Sequence, residues 1–143
     1  MSCAESISFF TAVIAVCALG WQIYQSNKQS KMQTFMTYTQ RYQDILINLP
    51  VGVESIEFKF PVEKEEKELI LRWLRAYFDL CSEEYFLNKN GLIQNEAWNL
   101  WEGGMKDSLK KPAFKEAWEE LQSNQYYHKE FAGYIKKIIG NNA

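Results

Sequence analysis

The stretch Ile7-Ser-Phe-Phe-Thr-Ala-Val-Ile-Ala-Val-Cys-Ala-Leu-Gly-Trp-Gln-Ile-Tyr24 runs 18 residues without a charge. The uncharged run extends from Ser6 to Asn27, bounded by Glu5 and Lys28. A helix needs about 17–25 mostly apolar residues to cross the hydrocarbon of a bilayer, so this one sits at the short end. Phe9 and Phe10 lie near one end, Trp21 and Tyr24 near the other. Aromatic side chains favour these membrane–water boundaries. A secretory signal would carry a basic leading segment and a small-residue cleavage site. Here the leading residues are Met1-Ser-Cys-Ala-Glu5, and Val16 stands where a lipoprotein site at Cys17 needs a small residue. The remaining alternative is a buried helix of a soluble domain, because short apolar runs are ambiguous. The expectation is a single membrane-spanning anchor over residues 1–27, with membrane lipid as its first partner.

Lys28, Lys31 and Arg41 follow the span and nothing basic precedes it. The positive-inside rule then places the N-terminus outside and residues 28–143 in the cytoplasm, at the inner (plasma) membrane. A short span is also helped by partners or a thinner bilayer.

No Pro or Gly occurs from Trp21 to Leu49, so one helix is expected from about Ser6 to Asn48, part in lipid and part beyond it. Met32, Phe35, Tyr38, Tyr42 and Ile45 recur at helical spacing and form an apolar face for packing. A second stripe holds Gln22, Gln25, Gln29, Gln33, Gln40 and Gln43, with Thr37 in the gap. Upstream, Ser8, Thr11, Ala15 and Ala18 lead into Gln22 at alternating steps of three and four. Small faces let membrane helices approach closely, and side-chain amides hydrogen-bond across helices. The stripe is therefore a candidate homo-oligomer seam or the wall of a wet channel. Its bland alternative is a solvated face, since Gln is a good helix former.

Beyond Leu49-Pro50 the pattern predicts a loop over residues 51–60 pinned by its aromatics. Ile56, Phe58 and Phe60 alternate with charges, so a short strand is the alternative. Pro61 should open a second helix, with Glu63, Glu65 and Glu66 at its positive end. Ile70, Trp73, Leu74, Tyr77, Leu80, Cys81 and Tyr85 form its core stripe. Glu68 with Arg72 and Arg75 with Asp79 are candidate i,i+4 pairs. Asn90-Gly91 is a stop signal. A third helix is expected from Asn95 as N-cap, with Trp98, Trp101, Met105 and Leu109 inward. Pro112 should start a fourth, with Phe114, Trp118 and Leu121 inward. Ser123 is the expected cap of a fifth, with Tyr127, Phe131, Tyr134 and Ile138 inward and Gly140 at its end. The fold class is all-α: an anchor helix continuing into one compact helical bundle.

The residues offer little for catalysis. The hydrophobic fraction is 47%, the charged fraction 24% and the net charge −2, which fits a folded chain without the basic excess of a nucleic-acid binder. Nucleic acid is not an expected partner. His128 is the only histidine, so a triad or a Glu-x-x-His metal site cannot be assembled by the usual patterns. Cys3, Cys17 and Cys81 lack ligand spacing. Cys17 and Cys81 are expected to be buried thiols, and Cys3 is placed outside, where it could cross-link copies. Gly103-Gly104 lacks the Lys-Ser/Thr of a phosphate loop. Glu83 and Glu84 diverge by about 100° around a helix and do not share a site. Lys106, Lys110, Lys111 and Lys115 form one basic cluster, a candidate anionic contact, set against Glu116, Glu119 and Glu120. No cofactor and no enzymatic activity are expected.

The run Leu74 to Leu87, then Gly91-Leu-Ile, Trp98, Trp101, Gly104-Met105 and Pro112-Ala-Phe, resembles a group of small bacterial single-pass membrane proteins with a cytosolic helical domain. That resemblance implies architecture and carries over no catalytic residue. In organisation alone, the chain is similar to membrane accessory proteins of RNA-guided antiphage systems, some implicated in membrane pores. It lacks the Arg/His motif of the related helical ribonucleases. Together these imply a non-enzymatic membrane module that self-associates through its long first helix, as a pore-like ring acting as an accessory effector in antiphage defence, with a cytosolic or membrane protein as a further expected partner. The alternative is a small accessory subunit of a larger membrane protein complex.

Overall fold

Helix α1 (Cys3–Asn48) continues unbroken through the apolar run and beyond it. The computed structural model describes residues 3–123 and 127–140, with side chains from Ile7 onward. The side chain of Cys3 lies outside the described residues. Four further helices follow: α2 (Lys64–Lys89), α3 (Asn95–Ser108), α4 (Pro112–Ser123) and α5 (Lys129–Gly140). No strand forms among the described residues. The fold is all-α, as the periodicity predicts. By backbone proximity the chain divides into two units, Met1–Thr34 and Phe35–Ala143, and the boundary falls inside α1.

Within the first unit, the described side chains from Ile7 to Gln33 face solvent, apart from the half-buried Lys31. The second unit is a helical bundle whose central member is α2, packed mainly against α4 and α3. Its core includes Leu74, Phe78 and Leu80 of α2, Phe114 and Ala117 of α4, and Phe131 and Ile135 of α5. Ile45 and Leu49 close it from the end of α1. Aromatic rings supply much of the contact. Tyr77 meets Phe114 edge-on at 5.1 Å, and Phe78 meets Trp118 at 5.1 Å. Phe35 stacks on Trp101 at 5.7 Å. Such pairs add about 0.5–1.5 kcal/mol each beyond the area they bury. The two Glu-Ala-Trp sequences each bury their alanine, Ala97 and Ala117, where a larger side chain would separate the helices.

The helix boundaries have local causes. Gly91 adopts φ +65° after the cap Asn90. The Gly91 N–H donates to Asn88 O and the Leu92 N–H to Leu87 O, which closes a Schellman motif. In the 49–61 loop, Gly52 takes φ +91° and lets Val53 turn inward to near-complete burial. Phe58 and Phe60 pack edge-on and pin the loop, while Ile56 stays exposed. Pro112 is the first residue of α4, where its missing N–H costs nothing.

Several local expectations are corrected. Pro61 does not open α2; the chain stays extended through Glu63, which occupies the N-cap, and the ladder starts with Lys67 N–H donating to Glu63 O. Asn95 is not the cap of α3. Gln94 is, because the buried Ile93 just before it and Trp98 occupy the two positions of a hydrophobic staple and set the register one residue earlier. Ser123 ends α4, its hydroxyl donating back to Glu120 O at 2.7 Å. His128 caps α5 instead, its carbonyl accepting from the Ala132 N–H. Glu68 pairs with Lys64 at 3.6 Å rather than with Arg72. Beyond these corrections, Asp79 accepts a hydrogen bond from the Tyr127 hydroxyl at 2.9 Å, tying α2 to the segment that leads into α5.

Candidate functional site

Two regions hold the site residues singled out by the sequence, and the structure adds a third. The first is the α1 face of Ser8, Thr11, Ala15, Ala18, Gln22, Gln25, Gln29 and Gln33, all in the first unit and all exposed. From Ser8 to Gln29 steps of three and four repeat every seven residues, the period of a left-handed helix seam, and the last step to Gln33 is a four. The Thr11 hydroxyl donates to Ile7 O within its own helix at 2.8 Å. Its donor is thus satisfied within the helix. Gln40 and Gln43, in the second unit, are exposed as well. The rest of the 7–24 circumference is equally uncovered: Phe10, Ile14, Val16 and Trp21 are each about two-thirds exposed (66%, 68%, 68% and 65%). Cys17 is exposed too, against the expectation of burial.

The second region is the basic cluster, and two of its four charges are engaged. Lys106 pairs with Glu102 at 2.8 Å and Lys110 with Asp107 at 2.7 Å. Lys111 and Lys115 are half-buried. Glu116 and Glu120 pair with Lys67 of α2, at 3.8 and 3.4 Å.

The third region was not anticipated. A cavity of about 230 Å³ opens inside the second unit between α1, α2 and α3. Phe35, Tyr42, Tyr77, Trp101, Leu80 and Met105 supply its apolar wall. Glu84 lines it and is only 5% exposed. Among the described residues the Glu84 carboxyl makes no hydrogen bond, and burial pushes its pKa up to about 8 against a weaker opposing pull from Arg41. Cys81 also borders the cavity, and burial raises its thiol well above the usual range. It is a neutral wall residue, not an activated nucleophile.

Glu83, one residue earlier, has the opposite fate. It points out to Arg41, whose guanidinium grips it through two contacts of 2.5 and 3.3 Å, while the Tyr38 hydroxyl donates to it at 3.0 Å. The Arg41 hydrogen bonds hold the Glu83 carboxyl below its ordinary range. The divergence of neighbouring helix positions thus separates a paired surface carboxylate from an unpaired buried one. Arg41 and Glu83 are each close to half exposed, so Arg41→Ala should lower stability by only about 0.5–1 kcal/mol, read from the urea midpoint.

Glu84 was legible in principle. It lies three residues after Cys81 and seven after Tyr77, on the face already read as core. Its charge argued for solvent and masked the spacing. His128 stays exposed at the start of α5. Among the described residues no three His, Cys, Asp or Glu side chains gather as a metal site. Comparison with family models, with curated proteins and with solved structures gives no match.

Proposed function

We propose that this chain is a single-pass membrane protein whose first helix anchors a helical body at the cytoplasmic face and associates with copies of itself. One observation carries the reading. The residues from Ile7 onward have a mean hydropathy of 1.8 over the most apolar 18-residue window, and none of that window is buried. A helix apolar on every side is stable only where its surroundings are apolar. The long aromatic and aliphatic side chains from Phe9 to Tyr24 would each lose about 1.5–3 kcal/mol of burial free energy if left in water. Lipid supplies the missing contact. Lys28 and Lys31 after the span favour a cytoplasmic body.

Self-association is proposed for the face from Ser8 to Gln33. In lipid, small residues permit close helix contact and amides form interhelical hydrogen bonds. Gln22 and Gln25 fall at the edge of the span, where their amides are placed to hydrogen-bond with those of a second copy. In its sharpest form the seam closes into a ring with glutamines toward a wet lumen, a membrane effector of the kind that the antiphage similarity implies.

The test is the particle mass of the full-length chain in nanodiscs, by native mass spectrometry. A defined multimer is expected, and joint replacement of Gln22, Gln25 and Gln29 by Leu should shift the distribution toward monomer. A clean monomer for the unaltered chain would overturn self-association and leave the reading of a subunit serving a larger complex. If the ring encloses a lumen, the same replacement should also abolish conductance in planar bilayers.

A further inference from the structure

We propose that the cavity between α1, α2 and α3 binds a small organic ammonium ion with an aromatic or aliphatic body, the Glu84 carboxylate serving as its counter-ion. The space suffices. A cavity of about 150 Å³ lined by apolar side chains already admits benzene, and this one is about 230 Å³. Its composition is that of a ligand site: an apolar, aromatic wall with one convergent polar group. A gap in packing alone would be apolar throughout. Here the wall carries the Glu84 carboxyl, only 5% exposed and without a hydrogen bond among the described residues, where a charged partner would offset its desolvation.

The charges around Glu84 specify that partner. From α1 come Arg41, already gripped by Glu83, and the phenol Tyr42. From α2 come Glu83 itself and the neutral thiol Cys81. The α3 wall, made of Leu100, Trp101, Gly104 and Met105, brings no charge. Among the described residues no cation forms an ion pair with Glu84, and only the pull of Arg41 opposes its burial. A cationic ligand would pair with the carboxylate, whereas an anion would be repelled by it. The rings of Phe35, Tyr42, Tyr77 and Trp101 add attraction for a cation through their negative faces.

Binding is coupled to a proton. In the empty cavity, burial keeps the Glu84 carboxyl protonated up to about pH 8. An arriving ammonium ion favours the carboxylate, and the carboxyl proton passes to solvent. The net process at neutral pH takes up one ammonium ion and releases one proton, so charge balances.

Calorimetric titration of the full-length chain in zwitterionic nanodiscs tests this, with empty nanodiscs as the reference for partitioning. The probes are 2-phenylethylammonium chloride and the neutral 2-phenylethanol. The ammonium ion should bind at least about ten-fold more tightly, which is about 1.4 kcal/mol. In two buffers of different protonation heat it should release close to one proton at pH 7 and little at pH 9. Glu84→Gln should abolish both the preference and the proton release. Equal binding of the two probes, no saturable binding of either, or ammonium binding without proton release at pH 7 would each overturn the proposal. The proton count uses the unaltered protein, so the result stands even if the variant misfolds.

Discussion

Phe78→Ala is expected to lower the unfolding free energy of the helical body by about 3–5 kcal/mol. Phe78 is completely buried on α2, between Tyr77 at 5.3 Å and Trp118 of α4 at 5.1 Å. Truncation removes the ring's burial and opens a hole that rigid aromatic neighbours cannot fill. Trp118 is itself clamped by Tyr127 and Phe131, at 5.2 and 5.8 Å, so the site relaxes poorly. Against a typical total of about 5–15 kcal/mol, the loss is a large fraction. Urea unfolding followed by the helical circular dichroism signal measures it. Phe86→Ala on the same helix is the control. Phe86 is 60% exposed, and its loss should stay within about 0.5 kcal/mol. Equal effects at the two positions would mean that α2 does not face the bundle as described.

The second large effect is a pH dependence of stability with an unusual sign. Glu84 binds its proton more tightly in the folded chain, up to about pH 8, than in the unfolded chain, where a glutamic acid titrates near pH 4.3. A proton held by the native state but not by the unfolded state makes stability fall as pH rises. The contribution is fully present below about pH 4.3 and is lost progressively up to about pH 8. At about 1.4 kcal/mol per pH unit the whole window is worth on the order of 5 kcal/mol. Glu83 and Glu102 act in the opposite sense, since hydrogen bonds from Arg41 and Lys106 lower their pKa values. Their contribution is complete above the ordinary carboxylate range, so it does not offset the fall between pH 5 and 8. Thermal unfolding should therefore be easier at pH 8 than at pH 5, and Glu84→Gln should flatten the slope. A pH-independent midpoint across this range would show that Glu84 is hydrated and ionised in the native state.

Much of this architecture is legible in the sequence, for physical reasons. The absence of helix breakers after Gly20 lets α1 run to Asn48, where Leu49-Pro50 stops it. Pro112 and Asn90-Gly91 mark boundaries because their backbone preferences act locally, whatever the tertiary context. The core stripes emerge because the 3.6-residue period repeats over whole helices. Single-residue details are less legible, since packing decides them. Ile93 shifts the α3 cap by one residue, and His128 rather than Ser123 starts α5. Phe78 and Ile135 lie beside the stripes that were read and are buried because α2 and α5 are covered on more than one side. Glu84 shows the limit most clearly: its spacing places it in the core, while its charge argues for solvent. The pairing of Glu83 with Arg41, 42 residues away, is a tertiary contact with no local signature.

The membrane span is tested most directly by its own cysteine. Cys17 lies within the apolar run and is exposed on the isolated chain, whereas Cys81 is sealed in the core. A Cys3→Ser variant in lipid bilayers, treated with a charged, water-soluble maleimide, reports whether Cys17 meets water. If the helix crosses the bilayer, Cys17 stays unlabelled until detergent unfolds the protein. Labelling of Cys17 in intact bilayers as fast as in the unfolded chain would place this helix in water and contradict the anchor.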